Sequence, residues 1–198
     1  MEKFSTKWLV QVAVLAAIIV VMSVTPIGYL KVGAIEITFL MIPVVVGAIV
    51  LGPKAGTILG LVFGATSFAQ CFGTSPFGTT LMGIQPIYTF IVCIVPRVLM
   101  GFLSALVFVG LRKVDKTPAK ALSFSVASVV GPLLNTLLFV GGVFLLFWNS
   151  EFITGLRDGR NILAFFVWFV GINGVIEAIV TFVIGGAISR AVYKVANR

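Results

Sequence analysis

Histidine is absent from the 198 residues, cysteine occurs twice, and Asp and Glu together number 6. Without an imidazole there is no His-based catalytic centre, no Ser-His dyad and no His-bearing metal site. Cys71 and Cys93 both lie inside apolar runs. They are too few and too far apart in the chain for a disulfide framework or a metal cluster, and they indicate no redox compartment. Neither a Gly-x-x-x-x-Gly-Lys-Ser/Thr phosphate loop nor a Gly-x-Ser-x-Gly elbow occurs. A single carboxylate, Glu177, falls at depth in an apolar run, which excludes a carboxylate dyad and makes a proton relay a poor reading. These absences argue against an enzyme. Charged residues make up 10% of the chain, against about 25% in soluble domains. A soluble fold is therefore excluded, and nucleic-acid binding by a basic domain with it, although the net charge is +8.

What is present is apolar: 60% hydrophobic residues and a mean hydropathy of +1.19. At about 20 residues per crossing, that suffices for roughly six spans and almost no aqueous domain. The expectation is an all-α integral membrane bundle, residues 1–198 forming a single transmembrane domain. The apolar runs place spans over 8–24, 38–51, 55–72, 85–111, 121–147 and 161–187. The second is short for a full crossing. Residues 25–37 form a polar break, Gly52-Pro53-Lys54 a tight turn, 73–83 a Gly/Ser/Thr loop and 148–160 a connection, with a basic tail at Arg190, Lys194 and Arg198.

Lys and Arg orient the bundle. With both termini in the cytoplasm, inner segments hold Lys3, Lys7, Lys54, Arg112, Lys113, Lys116, Lys120, Arg190, Lys194 and Arg198, and outer loops only Lys31, Arg157 and Arg160. The longer Gly-, Pro- and aromatic-bearing loops then share the outer face, where a binding site can be built.

Ionisable groups at bilayer depth are costly and mark function. Counting about 1.5 Å per residue from the outer helix ends, Arg97 lies about 17 Å deep, and Asn135 and Asn173 about 18 Å. Glu177 stands one turn deeper than Asn173 on the same face. Two readings stay open: Arg97 and Glu177 form a buried ion pair, or Arg97 keeps donors for an anionic ligand. Pro96 and Pro132 fit backbone that is irregular beside a wet cavity. Gln70, Gln85, Tyr88 and the loop residues Tyr29, Phe77 and Trp148 sit nearer the outside, as interfacial anchors or ligand-stacking groups. Gly56, Gly60 and Gly64 on one helix, and Ala13 and Ala17 on the first, have the four-residue spacing that permits close helix approach, within the chain or with a partner.

Ala13-x-x-x-Ala17, Leu51-Gly52-Pro53-Lys54-Ala55-Gly56, Val95-Pro96-Arg97-Val98-Leu99-Met100-Gly101, Asn135-Thr136-Leu137-Leu138 and Ile172-Asn173-Gly174-Val175-Ile176-Glu177-Ala178 follow in that order along nearly the whole chain. In this arrangement the sequence resembles the substrate-binding S components of energy-coupling factor (ECF) vitamin transporters, and most of all the pantothenate-type members. The resemblance implies a small bundle in the plasma membrane of a prokaryote that captures a vitamin from outside. It implies Arg97 and Asn135 at the ligand's carboxylate and amides; Asn173, Glu177, Gln70, Tyr88, Tyr29 and Phe77, from their depth and position, are the further substrate-binding candidates. Ala13 and Ala17 would dock on a transmembrane T component driven by two cytoplasmic ATPases. The chain itself would carry no cofactor or metal, ATP being used by those partners. Alternatives are an S component for folate, riboflavin, hydroxymethylpyrimidine or a queuosine precursor, and an autonomous small carrier or channel subunit.

Overall fold

The computed structural model describes residues 5–26, 28–32, 35–116, 121–157, 159, 161, 164, 167, 175 and 177–196. Helix α1 (Thr6–Ser23) starts where the Ser5 hydroxyl accepts the Trp8 N–H at 3.2 Å, a side-chain cap on an otherwise orphan donor. The break that follows is not irregular throughout. Its Tyr, Val, Ile and Thr residues suit extended backbone, and it carries an antiparallel hairpin, β1 (Tyr29–Val32) with β2 (Ile35–Thr38), in the register Tyr29↔Thr38 and Val32↔Ile35.

Helix α2 (Met41–Leu51) is apolar on every side and buried on almost every side. A helix without a polar face belongs inside a bundle, and α1, α3, α5 and α6 all pack around this one. Gly52, at φ 89°, turns the chain directly into α3 (Pro53–Gln70). The Gly56/Gly60/Gly64 stripe then lies against α5 (Pro86–Val114). A Cβ at Gly56 would strike the Gly101 carbonyl, one at Gly60 the Arg97 carbonyl, and one at Gly64 would come within 3.0 Å of the Cys93 carbonyl oxygen. The stripe therefore serves packing within the chain: three successive turns of α3 touch the backbone of α5.

The expected loop at 73–83 is a correction. Residues 76–84 form a helix, α4 (Pro76–Ile84), started by Ser75, whose hydroxyl accepts the Gly78 N–H at 3.1 Å, and by Pro76 in its first turn. These are ordinary start signals. Helix α6 (Ala121–Phe147) has the expected limits, and a short α7 (Glu151–Arg157) follows. Of the last expected span, the described positions 164, 167, 175 and 177–187 are helical, and Asn161 is not. The helix passes through a π-helical turn (Thr181–Gly185) into α8 (Gly186–Ala196), so Arg190 and Lys194 ride on a helix rather than a tail. Among the described residues, three helices are long and apolar enough to cross a membrane: Thr6–Ser23, Pro86–Val114 and Leu122–Phe147. Their outward surfaces expose large apolar side chains such as Val21, Ile87, Leu106 and Leu145, as a bilayer-facing surface requires. The chain is an integral membrane protein of helices with one small hairpin.

Two apolar cores divide the bundle. One surrounds α2 and joins Leu40, Met41, Val45, Leu59, Phe63, Met100 and Phe108. The other joins Leu81 of α4 and Ile153 of α7 to Val92, Val140, Val143 and Phe147 of the two long helices.

Candidate functional site

The site begins with a proline. Pro96 has no N–H, so the carbonyl four residues earlier, that of Val92, loses its helical partner. Arg97 supplies a substitute by curling back along α5, its Nη1 donating to the Val92 oxygen at 2.7 Å. Gly60 lets α3 press on the Arg97 backbone, and the guanidinium rests over Phe139 at 4.5 Å and Phe63 at 5.4 Å from the ring centroids. Arg97 is only 7% exposed, and its Nε has no acceptor among the described residues. A buried cation held by ring faces and one carbonyl is poorly compensated, and it presents free donor capacity to an anion.

Asn135 lies on α6 one turn before Phe139, so the two share a face. It is 4% exposed, and its Oδ1 has no donor. Among the described residues, then, an unfilled donor lies on α5 and an unfilled acceptor on α6, the helix whose Phe139 ring lies under the guanidinium. Unsatisfied buried polar atoms cost about 1–3 kcal/mol each, and chemically these two could accept an anion and an N–H or O–H.

Glu177 does not complete an ion pair with Arg97 among the described residues. Its Oε1 accepts the Thr38 backbone N–H and its Oε2 the Thr136 hydroxyl, each at 3.0 Å. The Thr38 hydroxyl in turn accepts the Leu40 N–H at 3.3 Å. The buried carboxylate thereby joins the exit of the hairpin to α6, at the residue next to Asn135. Asn173 lies outside the described residues.

The remaining expected site residues separate. Phe77 of α4 reaches the cluster, with its ring centroid 6.2 Å from Phe139 and 5.5 Å from Phe152 of α7. An aromatic chain therefore runs from Arg97 to both short helices. Gln70 is engaged with α1, its Nε2 donating to the Ser23 carbonyl at 2.7 Å. Tyr88 meets Phe147 edge-on at 5.9 Å and, with Gln85 and Trp148, lines a separate groove of about 330 Å3. Tyr29 is half-buried against the α2 core. Ala13 and Ala17 are exposed on α1, whose buried residues are Val12 and Ile19. Sequence reasoning missed Phe63, Phe139, Thr38 and Thr136. Phe139 carried one signal, its position one turn after Asn135.

The family model described as "ECF transporter, substrate-specific component" matches residues 7–188. Among curated proteins, the chain is similar to the pantothenic acid transporter PanT of Lactococcus lactis subsp. cremoris (strain MG1363), with 27% identity over 174 residues, 81% of this chain and 79% of that protein. It is also similar to the pantothenate transporter PanT of Leuconostoc mesenteroides subsp. mesenteroides, with 27% identity over 207 residues, 100% of this chain and 98% of that protein.

Proposed function

The chain belongs to the family of substrate-specific components of ECF transporters, and on that premise we propose that it is the membrane subunit that captures pantothenate. The reading rests above all on two buried polar atoms without a partner among the described residues, Arg97 Nε on α5 and Asn135 Oδ1 on α6. Pantothenate carries a carboxylate for the guanidinium, and an amide N–H and hydroxyls for the Asn135 oxygen. Its aliphatic body suits the phenyl rings of Phe63, Phe77 and Phe139. Both relatives named above are pantothenate transporters by name, which favours this ligand over other vitamins.

In this reading Arg97 and Asn135 bind the ligand. Glu177 holds the hairpin over the site through Thr38. Phe77 brings α4 onto the ligand, while Gln70, Tyr88 and Tyr29 support or border the entrance. The bundle crosses the membrane six times with both termini in the cytoplasm. The exposed Ala13 and Ala17 dock on a T component, and two cytoplasmic ATPases on that component use the ATP. The chain's own part is binding and delivery, without a cofactor or catalysis.

The test is ligand-induced stabilisation of the detergent-purified protein. Pantothenate at 100-fold over its dissociation constant stabilises by about 2.7 kcal/mol, whereas pantothenol, with an alcohol in place of the carboxylate, gives a much smaller shift. Stabilisation by a different vitamin alone overturns the ligand. Equal shifts from pantothenate and pantothenol overturn the pairing of Arg97 with the carboxylate.

A further inference from the structure

Cys71 and Cys93 stand 22 residues apart in the chain, yet the fold brings their sulfurs to 3.7 Å. Cys71 ends α3, and Cys93 lies on α5 one turn before Arg97. Both carry thiols rather than a disulfide, each 4% exposed. The backbone around them is closely packed. At Gly64, a Cβ on α3 would lie 3.0 Å from both the Cys93 carbonyl oxygen and the Ile94 Cα. On the other side α4 rests on the sulfur itself, since a Cβ at Gly78 would come within 2.6 Å of the Cys71 Sγ. The Cys71 Sγ also meets the Ser67 carbonyl at 3.4 Å. The two thiols are therefore neighbours by construction, at the junction where α3 gives way to α4.

We propose that Cys71 and Cys93 form an oxidisable dithiol, converted by a small neutral peroxide into a disulfide that staples the α3–α4 junction to α5. A disulfide needs its sulfurs about 2.0 Å apart, a short approach from contact that side-chain rotation can supply. One sulfur attacks a peroxide oxygen; the O–O bond breaks, a sulfenic acid forms and water leaves. The second sulfur attacks the sulfenic sulfur; the S–S bond forms, the S–O bond breaks and a second water leaves. The two thiols lose two electrons and two protons, and hydrogen peroxide is reduced to two waters. Burial decides which reagents reach the pair. Hydrogen peroxide is small and uncharged, whereas bulky or charged oxidants are excluded. The partner thiol at van der Waals distance captures the sulfenic acid before further oxidation.

The experiment needs no ligand, so its failure leaves the transport reading untouched. Full-length protein in phosphatidylcholine nanodiscs is exposed to hydrogen peroxide, quenched with catalase, denatured, alkylated with N-ethylmaleimide and weighed intact. Reduced protein takes up two maleimides. Oxidised protein takes up none, is lighter by two hydrogens before alkylation, and regains both sites with dithiothreitol. C93S and, as an independent control on folding, C71A show no loss of two hydrogens. The proposal is overturned if oxidised wild type still takes two maleimides, if it gains oxygen at each sulfur instead, or if the disulfide appears only between chains on a non-reducing gel.

Discussion

The two halves of this bundle solve opposite problems. Around α2 the packing is mostly apolar, with the Trp8 indole N–H donating to the Leu51 carbonyl at its end. α2 has no polar side to present, and the Gly56/Gly60/Gly64 stripe brings α3 onto α5 without an intervening side chain. At the Arg97 end, a guanidinium and a carboxamide are buried with atoms unfilled, and short helices and a hairpin take the place of long ones. The first half leaves only hydroxyls unfilled, those of Ser128 and Ser189 among the described residues on the helices packed against α2. The second leaves about 1–3 kcal/mol per orphan group unrecovered until something binds.

That contrast has a sign that mutation can test. The largest effect is expected at the α3–α5 crossing. Gly60→Leu drives a side chain into the Arg97 carbonyl, where backbone cannot yield, and overpacking there costs roughly 3 kcal/mol or more. The expected outcome is loss of a monodisperse peak in size-exclusion chromatography, and an undisturbed profile would refute the backbone contact. Next comes Arg97→Ala. It removes an under-compensated buried cation but also re-orphans the Val92 carbonyl, so the two effects oppose and thermal stability changes little, while pantothenate affinity falls by about 1.5–3 kcal/mol, that is roughly 10- to 150-fold. Calorimetric titration alongside a melting curve reads both quantities; a stability loss with affinity unchanged would place Arg97 with the structural half. The smallest effect is expected from Thr136→Val, which keeps shape but withdraws one hydrogen bond from the Glu177 carboxylate. Such a bond to a charged group contributes about 1.5–3 kcal/mol, part of which a reoriented neighbour recovers. Hydrogen exchange at the Thr38 amide should quicken, and unchanged exchange would separate the hairpin from Glu177.

Legibility in the sequence followed the same division. The limits of α6, the packing stripe on α3 and the helical reach of the long spans were readable, because apolar length and four-residue glycine spacing report them directly. Arg97 and Asn135 stood out because polar residues inside apolar runs are conspicuous. Depth arithmetic placed Arg97, Asn135 and Glu177 near one level, but depth says nothing of azimuth. The Arg97–Glu177 pair was an open reading for that reason, and the carboxylate instead meets Thr38 and Thr136. Phe63 and Phe139 look like any core phenylalanine until a guanidinium is found on their faces. The start of α4 was written in Ser75 and Pro76, yet the Gly and Thr residues around them read as a loop. The meeting of Cys71 and Cys93 is a property of the α3–α5 crossing, which no local window contains.

Pro96 and Arg97 have a consequence for how such a chain can change over generations. The proline strips Val92 of its helical partner, and the neighbouring arginine repairs the loss with one of its own donors. Any other residue at 96 would bring back an N–H, fill the Val92 carbonyl and release the guanidinium to reach elsewhere. Lysine at 97 would offer a single point of charge instead of a planar fork, forced to choose between carbonyl and ligand. Drift at either position alone therefore meets resistance, whereas exchange of both together opens a different geometry. These two adjacent codons should be inherited as one trait, and a descendant that altered them jointly would be expected to have altered the shape of what it captures.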